Sequence, residues 1–362
     1  MAKAKKVKSI LTEDSWSFLK TYINNASPVG FETSGQKIWL EYVKKYVKFF
    51  DSDSYGNTYG IINKDSKFKV VIEAHADEIS WKVNYINENG LIYCLANGDI
   101  DHQIAPSMRV NIYGEKGIVK GVFGWPAIHT RYDQNNLKDS DIIPEILFID
   151  CGAKNKNEVE KLGIRIGAFI TYDVGYDELA NSRIIGRGLD NKIGGFIIAE
   201  VAKLISINKI KINFSLYIVN AVQEEIGHKG AEIIAKKINP NIAIITDVIH
   251  DTNTPMIKKE LEGDITIGLG PVLTYGPSIH KKLNQQIIRC AKRNKIDVQY
   301  TTSSWSTGTD TEAFAYSNLG CPSALISLPL RYMHTTVEMA HKMDILNTIN
   351  LIYNSLLELD MK

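Results

Sequence analysis

Paired cysteines, long apolar runs, internal repeats and an excess of charge of either sign are all missing from this 362-residue sequence. Each absence excludes something. Cys94, Cys151, Cys290 and Cys321 stand far apart with no C-x-x-C pair, which removes zinc-ribbon and dithiol redox motifs and leaves buried, reduced thiols as the expectation. No stretch approaches the roughly 20 apolar residues that span a membrane. The basic start, MAKAKKVKSI, runs into the polar LTEDSW without the apolar core of a signal peptide. We read those lysines as a solvated tail and expect a cytoplasmic protein. With Lys+Arg 42 against Asp+Glu 41, the formal net charge is +1, so nothing in the balance draws nucleic acid or an anionic membrane. What is present is 44% hydrophobic content, enough for a full core and, at this length, for two domains or one domain carrying an insertion.

Hydrophobic periodicity predicts helices over Thr12–Asn25 and Thr33–Val47, separated by Ser27-Pro28-Val29-Gly30. Strands follow at Tyr59–Asn63 and Lys67–Ala74, the second carrying FKVVIEA, a nearly unbroken apolar run of the kind buried on both faces of a mixed sheet. From Ile79 to about Asp177 the pattern changes to short alternating strands such as WKVNYI, LIYCLA, RVNIYG and GIVKGVFG, punctuated by turns, with one short helix near Asn157–Leu162. This segment reads as a small all-β module interrupting an α/β pattern. Beyond it, helices are predicted at Ile193–Ile205, Lys229–Lys237, Lys281–Arg293, Thr311–Asn318 and Met343–Leu359. Strands are predicted at Phe214–Val219, Ile242–Ile245, Val298–Thr302 and Ala324–Leu328. The alternation implies a mixed, largely parallel sheet with helices on both faces.

The buried-looking strands each deliver ionisable residues at their carboxyl ends: His75 and Asp77, Glu224 and Glu225, Asp247, and His334. Asp190 joins them from GRGLDNKIGGF, where glycines mark a turn and Asp190 or Asn191 caps the following helix. Taken singly, each has an ordinary role as a cap, a turn residue or a surface histidine. Together they share one sheet edge, where open α/β sheets bind ligands. Two histidines and three carboxylates suit two divalent ions, zinc, cobalt or manganese, sharing one carboxylate. On this reading Asp190 bridges, His75 and Asp247 complete one ion, and Glu225 and His334 the other. Asp77, two residues after His75, accepts the second imidazole N–H and fixes the tautomer. Glu224 is the general base on a metal-bridging water, and ions about 3.5–4 Å apart activate that water and polarise a carbonyl.

The motifs AHADEIS, GRGLDNKIGG, VQEEIGHKGA, IITDV, STGTDTEAF and LPLRYMHTTVE resemble, in order and over nearly the whole chain, the tetrahedral, dodecameric metallo-aminopeptidases, relatives of glutamyl and deblocking aminopeptidases, some known as endoglucanase M. The resemblance implies the same metal ligands, His75, Asp190, Glu225, Asp247 and His334, with Glu224 as base and Asp77 as the histidine-orienting acid. It further implies a catalytic domain formed by residues 1–78 and 178–362 and an inserted, PDZ-like dimerisation domain at 79–177. Dimers of such relatives build a hollow dodecamer that admits short peptides. Gly308, Thr309 and Asp310 match a loop near the substrate pocket, with individual roles left open. Ser80-Trp81 departs from the family pattern, which bears on pocket shape. His102, His129, His228, His250, His280 and His341 are read as structural or surface residues.

The leading expectation is therefore a two-metal aminopeptidase acting on short peptides. A metal-dependent deacylase or carboxypeptidase uses the same ions, although a carboxypeptidase wants a dedicated arginine and none is singled out. An endoglucanase needs two carboxyl groups and no metal pair, leaving four of the clustered residues without a task. A non-enzymatic assembly protein would have no use for an intact ligand set.

Overall fold

The computed structural model of the chain describes residues 11–131 and 146–359. The basic N-terminal tail lies outside them. Among the described residues, no helix is long and apolar enough to cross a membrane. By contacts the chain divides into two compact units, one formed by Met1–Asp77, Gly175–Met333 and Val337–Lys362, the other by Glu78–Val174 with His334–Thr336.

The first unit opens with the helix Glu13–Asn24, whose N-terminus is closed by a reciprocal pair, Ser15 N–H to Thr12 Oγ1 and Thr12 N–H to Ser15 Oγ. The next helix, Thr33–Val43, stops short of the predicted Val47. Val47 turns inward instead, close enough to Gly60 that a Cβ there would sit 3.0 Å from its methyl groups. Strands β1 (Phe49–Ser52), β2 (Thr58–Ile62) and β3 (Lys69–His75) follow.

The second unit contributes β4 (Ser80–Ile86), β5 (Ile92–Asn97), β6 (Arg109–Gly114), β7 (Gly117–Phe123), β8 (Ile149–Asp150) and β9 (Phe169–Tyr172). They close into a barrel in the order β4-β5-β8-β7-β6-β9, around a core that includes Trp81, Val83, Ile112, Phe123, Ile149 and Ile170. Ser80 and Trp81, whose departure from the family pattern pointed at the pocket, answer to the barrel itself. The Trp81 ring packs edge-on against Phe123 at 5.4 Å, and Ser80 Oγ accepts the Asn97 side-chain amide at 2.8 Å.

Back in the first unit come β10 (Asp177–Leu179), β11 (Arg183–Gly186), β12 (Ser215–Ala221), β13 (Ile242–His250), β14 (Val272–Tyr275), β15 (Gln299–Thr302), β16 (Ser323–Leu330) and β17 (Glu338–His341). The main sheet runs β1-β2-β12-β3-β13-β16-β14-β15. Its centre, β12-β3-β13-β16, is parallel throughout, so four carboxyl ends emerge on one edge, and β3, flanked on both sides and covered on both faces, needs the apolar run its sequence supplies. The helix Leu189–Ile207 is buried nearly along its length. Its close seat on β3 requires Gly194, where a Cβ would meet Ala74 Cβ at 2.9 Å. Cys94, Cys290 and Cys321 are buried, Cys151 only half so, and none forms a disulfide.

Candidate metal centre

His75 is the last residue of β3 and is almost fully buried. Its ring spans the centre. Nε2 lies 3.2 Å from Asp190 Oδ1, 3.7 Å from Asp247 Oδ1 and 3.8 Å from Glu224 Oε2. On the other side Nδ1 stands 3.5 Å from Asp77 Oδ1, long for a hydrogen bond. Both Asp77 oxygens are engaged elsewhere: Oδ1 accepts the Glu224 N–H and Oδ2 the Glu225 N–H, each at 3.1 Å. Asp77 therefore fastens the glutamate pair to β3 and orients the imidazole only from a distance.

Asp190 is set by its surroundings. Gly188 takes φ +64° ahead of it, its own N–H donates to Glu338 Oε2 at 3.1 Å, and the peptide to Asn191 is cis. Asn191 is the cap, accepting the Gly194 N–H at 3.0 Å, while its amide donates to the Thr246 carbonyl at 2.9 Å and ties the turn to β13. Asp247 sits within β13, which runs to His250 instead of ending at Ile245. Pairing with β3 ceases at Ile245 while pairing with β16 continues, so the β3 side opens where Asp247 needs it.

Ligand-type atoms of His75, Asp190 and Asp247 lie within 4.8 Å of one another, and Asp190 presents an oxygen within the same distance of one on Glu225. Asp190 thus stands between two potential binding points, as a bridging carboxylate must. His334 belongs by contacts to the 334–336 stretch of the other unit, one residue beyond Met333. It has φ +62°, and its Nδ1 is 2.8 Å from the Asp99 carbonyl. A carbonyl only accepts, so Nδ1 carries the proton and Nε2 keeps a lone pair, the tautomer a metal-binding histidine requires.

The donor set fits divalent cations on its chemistry and on its electrostatics. Burial pushes the carboxyls of Glu73 and Glu224 up to about 8 and raises those of Asp247 and Asp310. His75, although burial alone would lower it, is held well above its ordinary range by Glu224, Asp190, Asp247 and Asp77. The carboxyls of Glu73 and Asp310 are buried against each other, and no N–H or hydroxyl of another residue donates to either. So much unneutralised acid in a buried cluster is what bound cations relieve.

Three contributors were not anticipated. His228, read from sequence as a structural or surface residue, instead contacts the glutamate pair, with Nε2 3.1 Å from Glu224 Oε1; its spacing four residues after Glu224 was the available signal. Glu73 is a lone carboxylate in the apolar FKVVIEA run, itself a signal. Glu338, which holds the Asp190 amide, closes the LPLRYMHTTVE motif, where its acidic side chain was the available signal. His280 and His341 cap helices, accepting the N–H of Leu283 and Met343. Beside Asp247 a cleft of about 760 Å³ opens, its walls including Val248, Tyr275, Tyr300, Trp305 and Thr309, large enough for a peptide end.

The chain is 31% identical to the lysyl aminopeptidase of Pyrococcus furiosus over 340 residues, 93% of this chain and 95% of that protein. Its fold matches the TET aminopeptidase of the marine sediment archaeon Thaumarchaeota archaeon SCGC AB-539-E09 with a TM-score of 0.89 at 27% identity, covering 96% and 97% of the two chains. It also matches the TET1 peptidase of Pyrococcus horikoshii, which can assemble into a tetrahedron or a large octahedral shell, with a TM-score of 0.83 at 25% identity and coverage of 96% and 100%. The model of the M42 glutamyl aminopeptidase family matches residues 56–351. That span takes in the whole clustered edge of the sheet, and with it the chain belongs to the M42 glutamyl aminopeptidase family and is a metal-dependent aminopeptidase.

Proposed function

We propose that this aminopeptidase removes N-terminal residues from short peptides with two divalent ions, zinc, cobalt or manganese, held by His75, Asp190, Glu225, Asp247 and His334. When bound, such a pair brings the pKa of a water towards neutrality, polarises the scissile carbonyl and offsets the charge that develops on its oxygen. The observation that carries this reading is that Asp190 belongs to two groups of ligand-type atoms, one with His75 and Asp247 and one with Glu225.

Glu224 is the general base. Its N–H is anchored on Asp77, one carboxylate oxygen lies against His228, and the other faces His75. Burial holds its carboxyl above the ordinary range, neighbouring cations would bring it back down, and in that state it accepts a proton from water and returns it to the leaving amine, a role worth about 10²–10⁴-fold in rate. A free α-amine suits the acidic surroundings, and the cleft beside Asp247 gives the first side chain room.

For the assembly we propose a dodecamer built from dimers, with the barrel unit as the PDZ-like dimerisation element. Tyr85, Leu95, Ile118 and Val122 on its strands are exposed apolar side chains, of the kind an interface would cover.

The test is hydrolysis of aminoacyl and N-acyl fluorophore substrates by chelated protein refilled with zinc, cobalt or manganese, alongside His75→Ala and Glu224→Gln. His75→Ala should lose metal, whereas Glu224→Gln should keep both ions and lose at least about 100-fold in kcat. Equal metal loss in the two variants would remove the distinction between ligand and base, and turnover of N-acyl substrates alone would favour a deacylase.

A further inference from the structure

The cleft beside Asp247 is chemically lopsided. It begins where Val248 follows Asp247 and Thr309 precedes Asp310, and its wall continues along β13 to His250, about 10 Å of extended strand from Asp247. Tyr275 on β14 and Tyr300 on β15 stand on that wall with ring centroids 6.2 Å apart, and Trp305 joins them from the loop beyond β15. The three rings are 48%, 44% and 90% exposed, so their faces are open to whatever enters. Among the described residues lining the cleft there is no lysine or arginine, and the one acid is Glu262. Glu262 ends the short helix Lys259–Glu262 and is exposed. It also lines an adjoining hollow with His250, so it stands towards the His250 end of the cleft. Neighbouring lysines leave the cleft to it: Lys259 pairs with Asp264, and Lys258 borders the hollow but not the cleft. The single wall residue able to become cationic near neutral pH is His250, and Glu262 accompanies it in both cavities.

We propose that the cleft selects peptides whose first residue is basic, lysine or arginine, and that Glu262 is the carboxylate that determines this preference. The inference rests on the reading of the cleft as the seat of the first side chain. With the scissile carbonyl held at the metal centre, only a long side chain reaches the His250 end. The methylenes of lysine or arginine pack along the tyrosine rings while the charged head passes over their faces, where the ring quadrupole attracts a cation, and meets the Glu262 carboxylate. An acidic first residue encounters the same negative ring faces and the same carboxylate with no lysine or arginine to pair with, and is rejected. A short neutral side chain fills the near end and leaves Glu262 unused.

The experiment compares kcat/KM for lysyl, arginyl, leucyl, phenylalanyl and glutamyl fluorophore substrates in the full-length, metal-loaded wild type, Glu262→Gln and Glu262→Lys. Position 262 is exposed, and melting temperature with metal counted per chain shows that each variant is folded and loaded. The wild type should turn over lysyl and arginyl substrates best and glutamyl at least about tenfold less well than lysyl. The lysyl-to-glutamyl ratio should fall about fivefold in Glu262→Gln, the upper range for one exposed ion pair, and about 25-fold in Glu262→Lys, where attraction becomes repulsion. In the wild type the ratio should narrow in high salt. A wild type that prefers glutamyl, leucyl or phenylalanyl substrates, or a ratio unchanged in Glu262→Lys, overturns the proposal. Failure of the aminopeptidase reading looks different: no substrate with a free α-amine is hydrolysed whatever its side chain, and the preference falls with it.

Discussion

Replacing Asp77 by asparagine isolates the part of the centre that geometry assigns differently from sequence. The carboxylate is fully buried and spends one oxygen on the Glu224 N–H and the other on the Glu225 N–H. Asparagine has one carbonyl oxygen and, at the second position, an amide that cannot accept. One hydrogen bond to a charged acceptor, worth about 1.5–3 kcal/mol, is lost, and a backbone N–H is left facing another donor. We expect Asp77→Asn to lower folding stability by about 2–4 kcal/mol and to weaken binding of the ion that depends on Glu225 by about 10–100-fold. The ion held by His75 should be affected less, because the Asp77–His75 contact is already 3.5 Å. Titrating the chelated protein with cobalt, whose visible absorption reports its coordination, resolves the two equivalents. The equivalent lost in Asp77→Asn should be the one that survives in His75→Ala. Unchanged metal binding and turnover in a folded Asp77→Asn protein would refute the anchoring role, and loss confined to the His75 ion would restore histidine orientation as the main function.

Other expectations lie away from the centre. Lys203 is buried among Ser15, Tyr42 and Glu200, with its ammonium 3.2 Å from Glu200 and 2.7 Å from Ser15 Oγ. Glu200→Ala strands that charge among neutral hydroxyls and should cost about 3–5 kcal/mol in urea unfolding while the tight metal equivalents remain; a cost under about 1 kcal/mol would mean that the ammonium finds water. Glu178 is held down at about 2, below its ordinary 4.5, chiefly by Lys342 and then by Tyr176. Its folded pKa is depressed, so its contribution is present above pH 4.5 and fades as pH falls towards 2. The pair is well exposed, so the stability gap between wild type and Glu178→Gln should be small, should narrow on acidification and should shrink in high salt. A gap independent of pH between 6 and 3 would rule the pair out. Leu95→Glu combined with Ile118→Glu places charge on the exposed barrel surface and should shift the particle to a smaller species in size-exclusion chromatography; an unchanged assembly would move the interface elsewhere.

The elements legible in the sequence are those whose pattern comes from burial. The helix predicted at Ile193–Ile205 is the core of Leu189–Ile207, and the strand Lys67–Ala74 is β3 within two residues, because both lie where water is excluded on nearly every side and their composition records it. Strands such as β1 and β10, exposed at every position, carry no such record. They exist because a neighbour offers a hydrogen-bonding edge, a fact stored in the neighbour. The second helix shows the same limit, since its apolar period runs on to Val47 although tertiary packing, not the helix, claims that side chain.

The site divides along similar lines. His75, Glu224, Glu225 and Asp247 are legible from residue type and strand ends, because the parallel centre of the sheet turns sequence position into spatial position: any residue closing β3, β12 or β13 arrives at one edge; Asp190 is legible from the glycine turn ahead of its helix. What orients these groups is not ordered in that way. Asp77 accepts amides 147 and 148 residues away, and Glu338 accepts one from a turn 148 residues before it, and acceptors of backbone N–H groups need only be carboxylates in the right place. His228 falls between the two cases. Its spacing from Glu224 put it within reach, but only the left-handed backbone at 227 and 228 swings the ring back over the glutamate instead of out along the helix.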